Sequence, residues 1–327
     1  RIVLDRHIWI HGLIPTGQDP PIPAPGHTTG RKNCPNRRHR RCFPCSSHVA
    51  IVPYYEVPWG CRPPRYHTKL MLYAITRPVS RSIQDCELTH LDRCKINYDT
   101  AQRQHEAYVK ALQDMGVTII ELDPLHEHSD AVFVEDIIVV VGELAVLTRP
   151  GAESRRGEVD SIVTAIGPHR ELVRIESPGT LEGGDVCVAE RTIFVGASTR
   201  TNEEGFKQLQ TALEPHGYHV ISVPVPGALH LKTAATYLGD GQMLANTAWL
   251  DVSYFKGMDI IEVHPDEPMA GNAIRIGDSL LFSSQFPHTA GRLEARGFNL
   301  VQVDSTELAK AEGSLTCKSV MFTTSGS

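Results

Sequence analysis

The chain lacks the marks of a membrane or secreted protein. No stretch offers the roughly 18 uncharged apolar residues that a membrane helix needs, and the best run, 131–148, contains three carboxylates. The first residues do not show the basic segment, apolar segment and small-residue cleavage site that follow one another in a signal peptide. Eight cysteines among 327 residues do not suggest a disulfide scaffold. We therefore expect a reduced, intracellular protein of the cytoplasm that has no membrane partner.

Metal-binding motifs are also missing from the body of the chain. Beyond residue 70 there is no HExxH, no HxxxH and no CxxC. A metal centre of the usual spacing is therefore disfavoured, and we expect neither a metal nor a cofactor.

Residues 1–70 differ from the rest of the chain. They hold eleven of the 22 prolines, and eleven Lys and Arg against three Asp and Glu. Such a composition buries too little apolar area to offset the entropy of ordering. We expect a disordered, Pro- and Arg-rich extension over 1–70 and a catalytic domain over 71–327. The domain carries a net charge of −14, which disfavours a nucleic-acid partner.

Two functional alternatives stay open for this extension. Its basic block, 31–41, resembles a nucleic-acid or targeting arm. Its second alternative is a zinc site, because Cys42 and Cys45 have ligand spacing. The further candidate zinc ligands are Cys34, His39 and His48.

From Met71 a hairpin, a helix and a strand recur about every 50 residues, some five times. This period predicts an α/β fold built as a closed repeat array, with an open α/β sheet as the alternative. We expect an extra strand at 132–134 and a last strand that carries Cys317. The predicted helices are 98–115, 157–166, 201–216, 251–256 and 289–296.

Polar side chains interrupt the apolar runs at matching points of each unit. Three acids, Asp130, Glu135 and Asp136, flank one apolar run, and burial requires a cation or donors for each. They indicate either Arg partners inside the fold or a pocket for a cationic ligand. Arg155 and Arg200 lie near helix starts and have the geometry to bind a carboxylate through paired hydrogen bonds.

Three further residues indicate nucleophilic catalysis when they are taken together. Cys317 supplies a nucleophile, His230 a base, and Glu182 an acid that can orient the base. Each of them alone is more simply explained as a buried structural side chain. Glu182 lies in a Gly-rich segment, which allows a close approach of the backbone.

Six motifs between Met71 and Phe322 carry a family resemblance. They are Phe133-Val-Glu-Asp136, Thr148-Arg-Pro-Gly-Ala-Glu-Ser-Arg-Arg-Gly-Glu158, Leu181-Glu-Gly-Gly-Asp185, Arg200-Thr-Asn202, Leu229-His-Leu-Lys-Thr233 and Leu315-Thr-Cys317. In order and spacing they resemble dimethylarginine dimethylaminohydrolases, which belong to the amidinotransferase superfamily. The resemblance implies a five-bladed α/β propeller of repeated hairpin-helix-strand units.

The resemblance also implies an activity and a role for each motif residue. The expected reaction converts Nω,Nω-dimethylarginine or Nω-monomethylarginine to citrulline plus an amine, through a covalent Cys intermediate. A homodimer is one assembly open to such a protein. The implied catalytic residues are Cys317, His230 and Glu182, and the implied substrate-binding residues are Leu88, Asp130, Glu135, Asp136, Arg155, Arg200 and Ala311.

Two alternatives to this activity stay open. One is a guanidine hydrolase of the arginine deiminase type, which would release ammonia from unmethylated arginine. The other is a binding protein that uses the propeller without chemistry. Such a protein should lack the Cys, His and acid set, all three of which are present here.

Overall fold

The computed structural model describes residues 70–325. The predicted extension over 1–70, with its candidate zinc ligands and basic block, lies outside the described residues, Leu70 excepted. Within 70–325, no helix combines the length and the apolar character needed to cross a bilayer.

Fifteen strands form five three-stranded sheets of one design. Each sheet pairs an inner strand antiparallel to a middle strand, which in turn pairs parallel to an outer strand. The strands are β1 (Leu70–Thr76), β2 (Thr118–Glu121), β3 (Ile138–Val141), β4 (Leu144–Leu147), β5 (Glu171–Arg174), β6 (Val186–Ala189), β7 (Thr192–Ala197), β8 (His219–Pro224), β9 (Ala235–Gly239), β10 (Gln242–Ala245), β11 (Asp259–Glu262), β12 (Ile274–Ile276), β13 (Ser279–Ser283), β14 (Asn299–Val303) and β15 (Val320–Ser325).

Helical segments connect the middle strand of each sheet to its outer strand. The longest begins at Tyr98, after the N-cap Asn97, whose side chain accepts the Thr100 N–H, and it buries Tyr108 and Leu112 on one face. The α-helices are α1 (Tyr98–Asp114), α2 (Val163–Ile166), α3 (Glu203–Leu213), α4 (Leu231–Ala234), α5 (Pro287–Ala295) and α6 (Thr306–Ala309). The 3₁₀ segments are Ile83–Asp85, Val134–Ile137, Glu153–Ile162, Gly183–Asp185, Glu214–His216, Val252–Tyr254 and Thr316–Lys318.

The first sheet joins the two ends of the described chain. Strand β15 pairs antiparallel with β1, so that Val320 lies opposite Ile75, and β1 pairs parallel with β2. Inner strands of neighbouring sheets also pack together, as β15 does with β3 and β6 with β9. The sheets therefore form a closed five-bladed α/β propeller. The prediction of a closed array is confirmed, and the open sheet is excluded.

Apolar clusters fill the space between the sheets and beneath the helices. One further cluster lies at the end of the propeller where the inner strands begin. There Val79, Ile83, Leu308 and Ala311 surround Cys317.

Most element bounds match the prediction within a few residues, but 132–134 is not a strand. A turn leads directly into the 3₁₀ helix Val134–Ile137. The turn lets Glu135 and Asp136 diverge toward two different cations, Lys232 and Arg155. Because buried carboxylates require such partners, tertiary contacts override the strand propensity of the apolar run.

The prediction that the last strand carries Cys317 is wrong. Cys317 lies on the 3₁₀ turn Thr316–Lys318, which precedes that strand. The register of β15 on β1 would place Cys317 opposite Pro78. Proline has no N–H to donate to a neighbouring strand, so pairing cannot extend that far. The chain turns instead, and the Cys317 Sγ accepts the Ser314 N–H at 3.4 Å.

Two predicted helices are mostly 3₁₀ rather than α. Glu153–Ile162 is a 3₁₀ helix and only Val163–Ile166 is α-helical, while 251–256 reduces to a turn at Val252–Tyr254. Gly157 and Ser161 have weak α-helical propensity, and the buried Arg155 fixes the first turn from its side chain.

Candidate active site

Each of the five blades places one buried polar residue just before its inner strand. These residues share one end of the propeller because the inner strands surround a common axis. They are Asp136 before β3, Glu182 before β6, His230 before β9, Asn272 before β12 and Cys317 before β15. The predicted recurrence of polar residues at matching points of the units is therefore present in the structure.

Eight of the ten predicted site residues line one small cavity. The other two, Leu88 and Glu135, do not. Five further residues line the cavity without having been predicted as site residues, and two of them, Glu87 and Glu312, are acidic. The eight that line it are Asp130, Asp136, Arg155, Glu182, Arg200, His230, Ala311 and Cys317.

The Cys317 thiol is buried at this cavity. Burial raises the pKa of Cys317 well above its usual range, and the carboxylates of Glu135 and Asp136 raise it further. The sulfur is therefore held as a neutral thiol until positive charge arrives beside it. A cationic ligand in the cavity would supply that charge.

His230 lies at the start of α4, where its Nε2 is 2.7 Å from the Glu182 Oε2. Its Nδ1 lies 3.9 Å from an oxygen of Asp136. Burial by itself would lower the pKa of His230, but the charge of Asp136 and the hydrogen bond to Glu182 outweigh it. The pKa is raised to about 9, so the ring is an imidazolium near neutral pH.

Glu182 is the acid that holds His230. Burial opposes ionisation, but the bond from His230 and the charges of His230, Arg155 and Arg200 lower the pKa of Glu182 to about 2. Its second oxygen, Oε1, accepts from the Arg200 Nη1 at 3.3 Å and from the Ala152 N–H at 3.2 Å. Glu182 is therefore an ionised carboxylate, and each of its hydrogen bonds comes from a donor group: His230, Arg200 or the Ala152 N–H.

The backbone of Gly184 runs against the imidazole, as the Gly-rich sequence predicted. A Cβ at Gly184 would lie 2.5 Å from the His230 Nδ1 and 2.8 Å from the Asp136 Oδ1. Real Cβ atoms do not approach that closely, so only glycine lets His230 and Asp136 take these positions.

Arg155 supports Asp136 from beneath. Its Nη1 donates to the Asp136 Oδ2 at 2.5 Å, and its Nε and Nη2 donate to Glu158 at 3.1 and 2.8 Å. The same Nη2 reaches the carbonyls of Asp130 and Phe133. Within residues 70–325, the second Nη1 hydrogen has no hydrogen-bond partner.

Glu135 points away from this cavity. Its carboxylate contacts the Lys232 Nζ at 2.5 Å and accepts the Thr316 hydroxyl at 2.8 Å. Asn272 holds the other side of Thr316, because its amide donates to the Thr316 hydroxyl and its oxygen accepts the Thr316 N–H. Glu135 and Asn272 therefore fix Thr316, the residue that precedes Cys317.

The remaining predicted residues lie at the rim. Asp130 Oδ2 accepts the Glu87 N–H at 3.0 Å, and burial raises the pKa of Asp130 to about 6. The Arg200 Nη2 donates to the Thr89 hydroxyl at 2.9 Å. Leu88 packs against the apolar cluster that contains Ala311 and Cys317.

A cation could be held by part of this arrangement. One ligand atom from each of Asp136, Glu182 and His230 lies within 4.8 Å of the others. Each of these side chains already has a protein partner, however, as described above. The same three groups suit a planar ligand cation that carries several N–H donors.

Comparison with known proteins supplies the family. The chain is 36% identical over 252 residues to the N(G),N(G)-dimethylarginine dimethylaminohydrolase of Pseudomonas aeruginosa, covering 76% of this chain and 99% of that protein. The enzyme of the same name from Streptomyces coelicolor is 40% identical over 249 residues, covering 76% and 95%. This chain belongs to the dimethylarginine dimethylaminohydrolase family.

Two further comparisons agree with this membership. A model of the eukaryotic N,N dimethylarginine dimethylhydrolase family matches residues 86–248. The structure of the Pseudomonas aeruginosa dimethylarginine dimethylaminohydrolase, a Cys-to-Ser mutant complexed with citrulline, superposes with a TM-score of 0.74 at 35% identity. It covers 77% of this chain and all of that one.

Sequence reasoning missed several residues of this dimethylarginine dimethylaminohydrolase site. Asp185 accepts the Leu231 N–H at 2.9 Å and the hydroxyls of Ser198 and Thr201, both at 2.6 Å, and so fixes the turn that carries His230. Asp185 stood beside Glu182 in the Gly-rich segment, which was the available signal. Glu158 stands three residues after its partner Arg155 in the same motif, which was the available signal. Asn272 and Glu312 gave no comparable signal, because their partners are distant in sequence.

Proposed function

We propose that this chain is a hydrolase that converts Nω,Nω-dimethylarginine and Nω-monomethylarginine to citrulline plus dimethylamine or methylamine. One observation carries the proposal: Cys317, His230, Glu182 and Asp136 surround a single cavity. A guanidinium is a planar cation and a poor electrophile. The site offers it two carboxylates, a nucleophile and a proton donor.

The two carboxylates fix the guanidinium. Asp136 and Glu182 accept its N–H groups and direct its central carbon at the Cys317 sulfur. Well-oriented reactants of this kind gain up to about 7–11 kcal/mol over the reaction in free solution. The positive charge of the substrate beside the sulfur favours loss of the thiol proton to solvent.

The thiolate then attacks the central carbon, and a C–S bond forms. In the tetrahedral adduct, His230 gives its proton to the methylated nitrogen, and the C–N bond breaks to release the amine. The raised pKa of His230 means that the ring carries this proton before the reaction begins. A thiouronium remains on Cys317.

Hydrolysis completes the cycle. The neutral His230 takes a proton from water, and the resulting hydroxide attacks the thiouronium carbon. The C–S bond breaks, the proton of the added hydroxyl passes to the departing sulfur, citrulline leaves, and the neutral thiol and the imidazolium return. Glu182 stabilises the imidazolium at both steps.

The rim residues are assigned to the amino-acid end of the substrate. Arg200, together with the free Nη1 hydrogen of Arg155, binds the α-carboxylate. Asp130 and the backbones of Leu88 and Ala311 receive the α-amino group. Glu135 does not touch the substrate in this assignment; it accepts the Thr316 hydroxyl and so fixes the residue next to the nucleophile.

The test is a citrulline assay with dimethylarginine, monomethylarginine and arginine side by side. Turnover of the methylated substrates supports the proposal. Turnover of arginine alone, with release of ammonia, would favour the deiminase alternative. Absence of citrulline from all three would favour a binding protein. Cys317→Ser, a protein of nearly the same shape, is the control for background hydrolysis.

Three further predictions remain proposals. We place residues 1–70 in an extension separate from the catalytic domain 71–327, which a truncation at residue 70 that retains turnover would support. The cytoplasm is supported by the four described cysteines, all of which are free thiols. A homodimer is tested by sedimentation of the full chain.

A further inference from the structure

The carboxylate of Glu312 accepts three consecutive backbone N–H groups from a distant loop. The Thr89 N–H reaches Oε2 at 3.0 Å, while the N–H groups of His90 and Leu91 reach Oε1 at 2.5 and 2.7 Å. More than 220 residues separate the partners in sequence. Hydrogen bonds to an ionised acceptor are among the stronger ones in proteins, so three of them fix the loop firmly.

Glu312 adopts a backbone conformation that does not suit its side chain. Its φ is +59°, in the left-handed region that a residue with a Cβ rarely adopts. Glycine would adopt it without strain. The three hydrogen bonds from the loop to the Glu312 carboxylate offset the free-energy cost of this backbone strain.

The loop that Glu312 holds touches the substrate-binding residues. The Asp130 carboxylate accepts the Glu87 N–H, and Arg200 donates to the Thr89 hydroxyl. Leu88 packs against the apolar cluster that contains Ala311. The cavity below has a volume of about 20 Å³, close to what a single water molecule requires. In this conformation the loop occupies polar groups of Asp130 and Arg200 that are assigned to bind the substrate.

Three residues hold the loop by hydrogen bonds: Asp130, Arg200 and Glu312. Of these, Glu312 is not assigned to bind substrate. We propose that Glu312 is a positioning residue that holds residues 89–91 so that the Leu88 backbone faces the amino-acid end of the substrate. Through this loop it sets substrate affinity and shields the nucleophile. The kinetic part of this inference rests on the proposed function, whereas the shielding part does not.

Glu312→Gln tests the inference with two separate measurements. In the citrulline assay, KM for dimethylarginine should rise by about tenfold or more while kcat changes little. In the second measurement, iodoacetamide alkylates the enzyme without substrate, and mass spectrometry follows the peptide that contains Cys317. Its alkylation rate should rise several-fold because the loop is released.

Glu267→Gln is a matched control. The Glu267 carboxylate accepts two consecutive backbone N–H groups, from His288 and Thr289, but it does not line the cavity. Its replacement should lower thermal stability without changing KM or the alkylation rate. Equal effects in both variants would show a general structural role and overturn the inference.

Glu312→Gly keeps the test decisive if the Gln variant folds poorly. It relieves the backbone strain and removes the carboxylate, so it should share the kinetic changes while the fold is retained. An unchanged alkylation rate in a folded Glu312 variant would overturn the inference. If the alkylation rate rises in a protein that makes no citrulline, the proposed function fails and the loop attachment stands.

Discussion

The imidazole Nε2 of His230 lies 2.7 Å from the Oε2 of Glu182, and both side chains are buried. This pair joins two blades of the propeller, since Glu182 precedes β6 and His230 precedes β9. Together with the charge of Asp136, it keeps a proton on the imidazole at neutral pH, where a free histidine would be mostly neutral. Asp136 and Glu182 therefore set the pH range in which the imidazole carries a proton.

Replacing Glu182 by Gln should move the alkaline limit of activity downward. The carboxylate stabilises the imidazolium, so its loss lowers the pKa of His230 from about 9. Activity that requires the imidazolium should then fall at a lower pH, by about one unit or more. A pH profile of kcat/KM for dimethylarginine measures the shift, and an unmoved alkaline limb would contradict the role of the pair.

The same pair makes the stability of the fold depend on pH. The pKa of His230 in the folded protein lies above its value of 6.5 in an unfolded chain. Its stabilising contribution is therefore complete below about pH 6.5 and is lost as the pH rises through 9. Urea unfolding of the native protein and of Glu182→Gln at pH 6 and pH 9.5 should show a smaller pH dependence in the variant.

Replacing His230 by Gly should separate the two halves of the reaction. The thiolate can still attack a substrate whose leaving group needs no proton, but no base remains to activate water. S-Methylthiocitrulline should therefore leave a covalent adduct on Cys317 that hydrolyses slowly. Mass spectrometry of the intact protein detects it; Cys317→Ser should show none, and its absence from His230→Gly would argue against this assignment.

Replacing Gly184 by Ala should reduce kcat strongly without unfolding the protein. The new Cβ would lie 2.5 Å from the His230 Nδ1, so the imidazole or the backbone must move. A displacement of about 1 Å in a catalytic group can reduce the rate about 100-fold. Steady-state assays measure the loss, and circular dichroism checks the fold.

Gly291→Ala provides the matched control for that substitution. Gly291 lies within α5, and a Cβ there would meet no atom within 4 Å. Alanine in a helix interior is favoured over glycine by about 0.5–1 kcal/mol. This variant should be slightly more stable and fully active; a loss of activity similar to that of Gly184→Ala would weaken the steric explanation.

Replacing the two arginines by Ala should have different effects. Arg200 lies at the rim, so its loss should mainly raise KM for dimethylarginine through weaker binding of the α-carboxylate. Arg155 is buried between Asp136 and Glu158, and its removal leaves both carboxylates without their cation. That change typically costs about 3–5 kcal/mol of stability.

Thermal unfolding and steady-state kinetics on both variants separate these effects. Arg155→Ala should unfold at a distinctly lower temperature and lose kcat, because Asp136 is no longer fixed. Arg200→Ala should unfold near the temperature of the native protein. An unchanged KM in both variants would contradict the binding of a carboxylate at this rim.

Much of the fold could be predicted because local periodicity and turn signals recur in every blade. The predicted helix 98–115 matches α1 within one residue, and the five repeated units are present. The errors fall where distant partners decide the backbone. The run at 132–134 turns because Asp136 must reach Arg155, and the chain at Cys317 turns because Pro78 would be its partner on β1.

Residue type and motif predicted Cys317, His230 and Glu182 as a set, and the structure brings the three to one cavity. Their contacts could not be predicted. Which carboxylate pairs with which cation depends on how the blades are arranged in space, and no local pattern contains that information. For this reason the contacts of Glu135 with Lys232, and of Glu312 with the loop, emerged only from the structure.

The pairing of β15 with β1 also orders events during synthesis of the protein. The other four blades are each made from one continuous stretch of chain, but the first blade needs β15, which follows all the other described strands in sequence. Long-range pairing of this kind forms slowly. The reactive sulfur, which lies directly before that strand, therefore reaches its place only when the ring has been assembled. A nascent chain that ends before Cys317 therefore has no sulfur at this site.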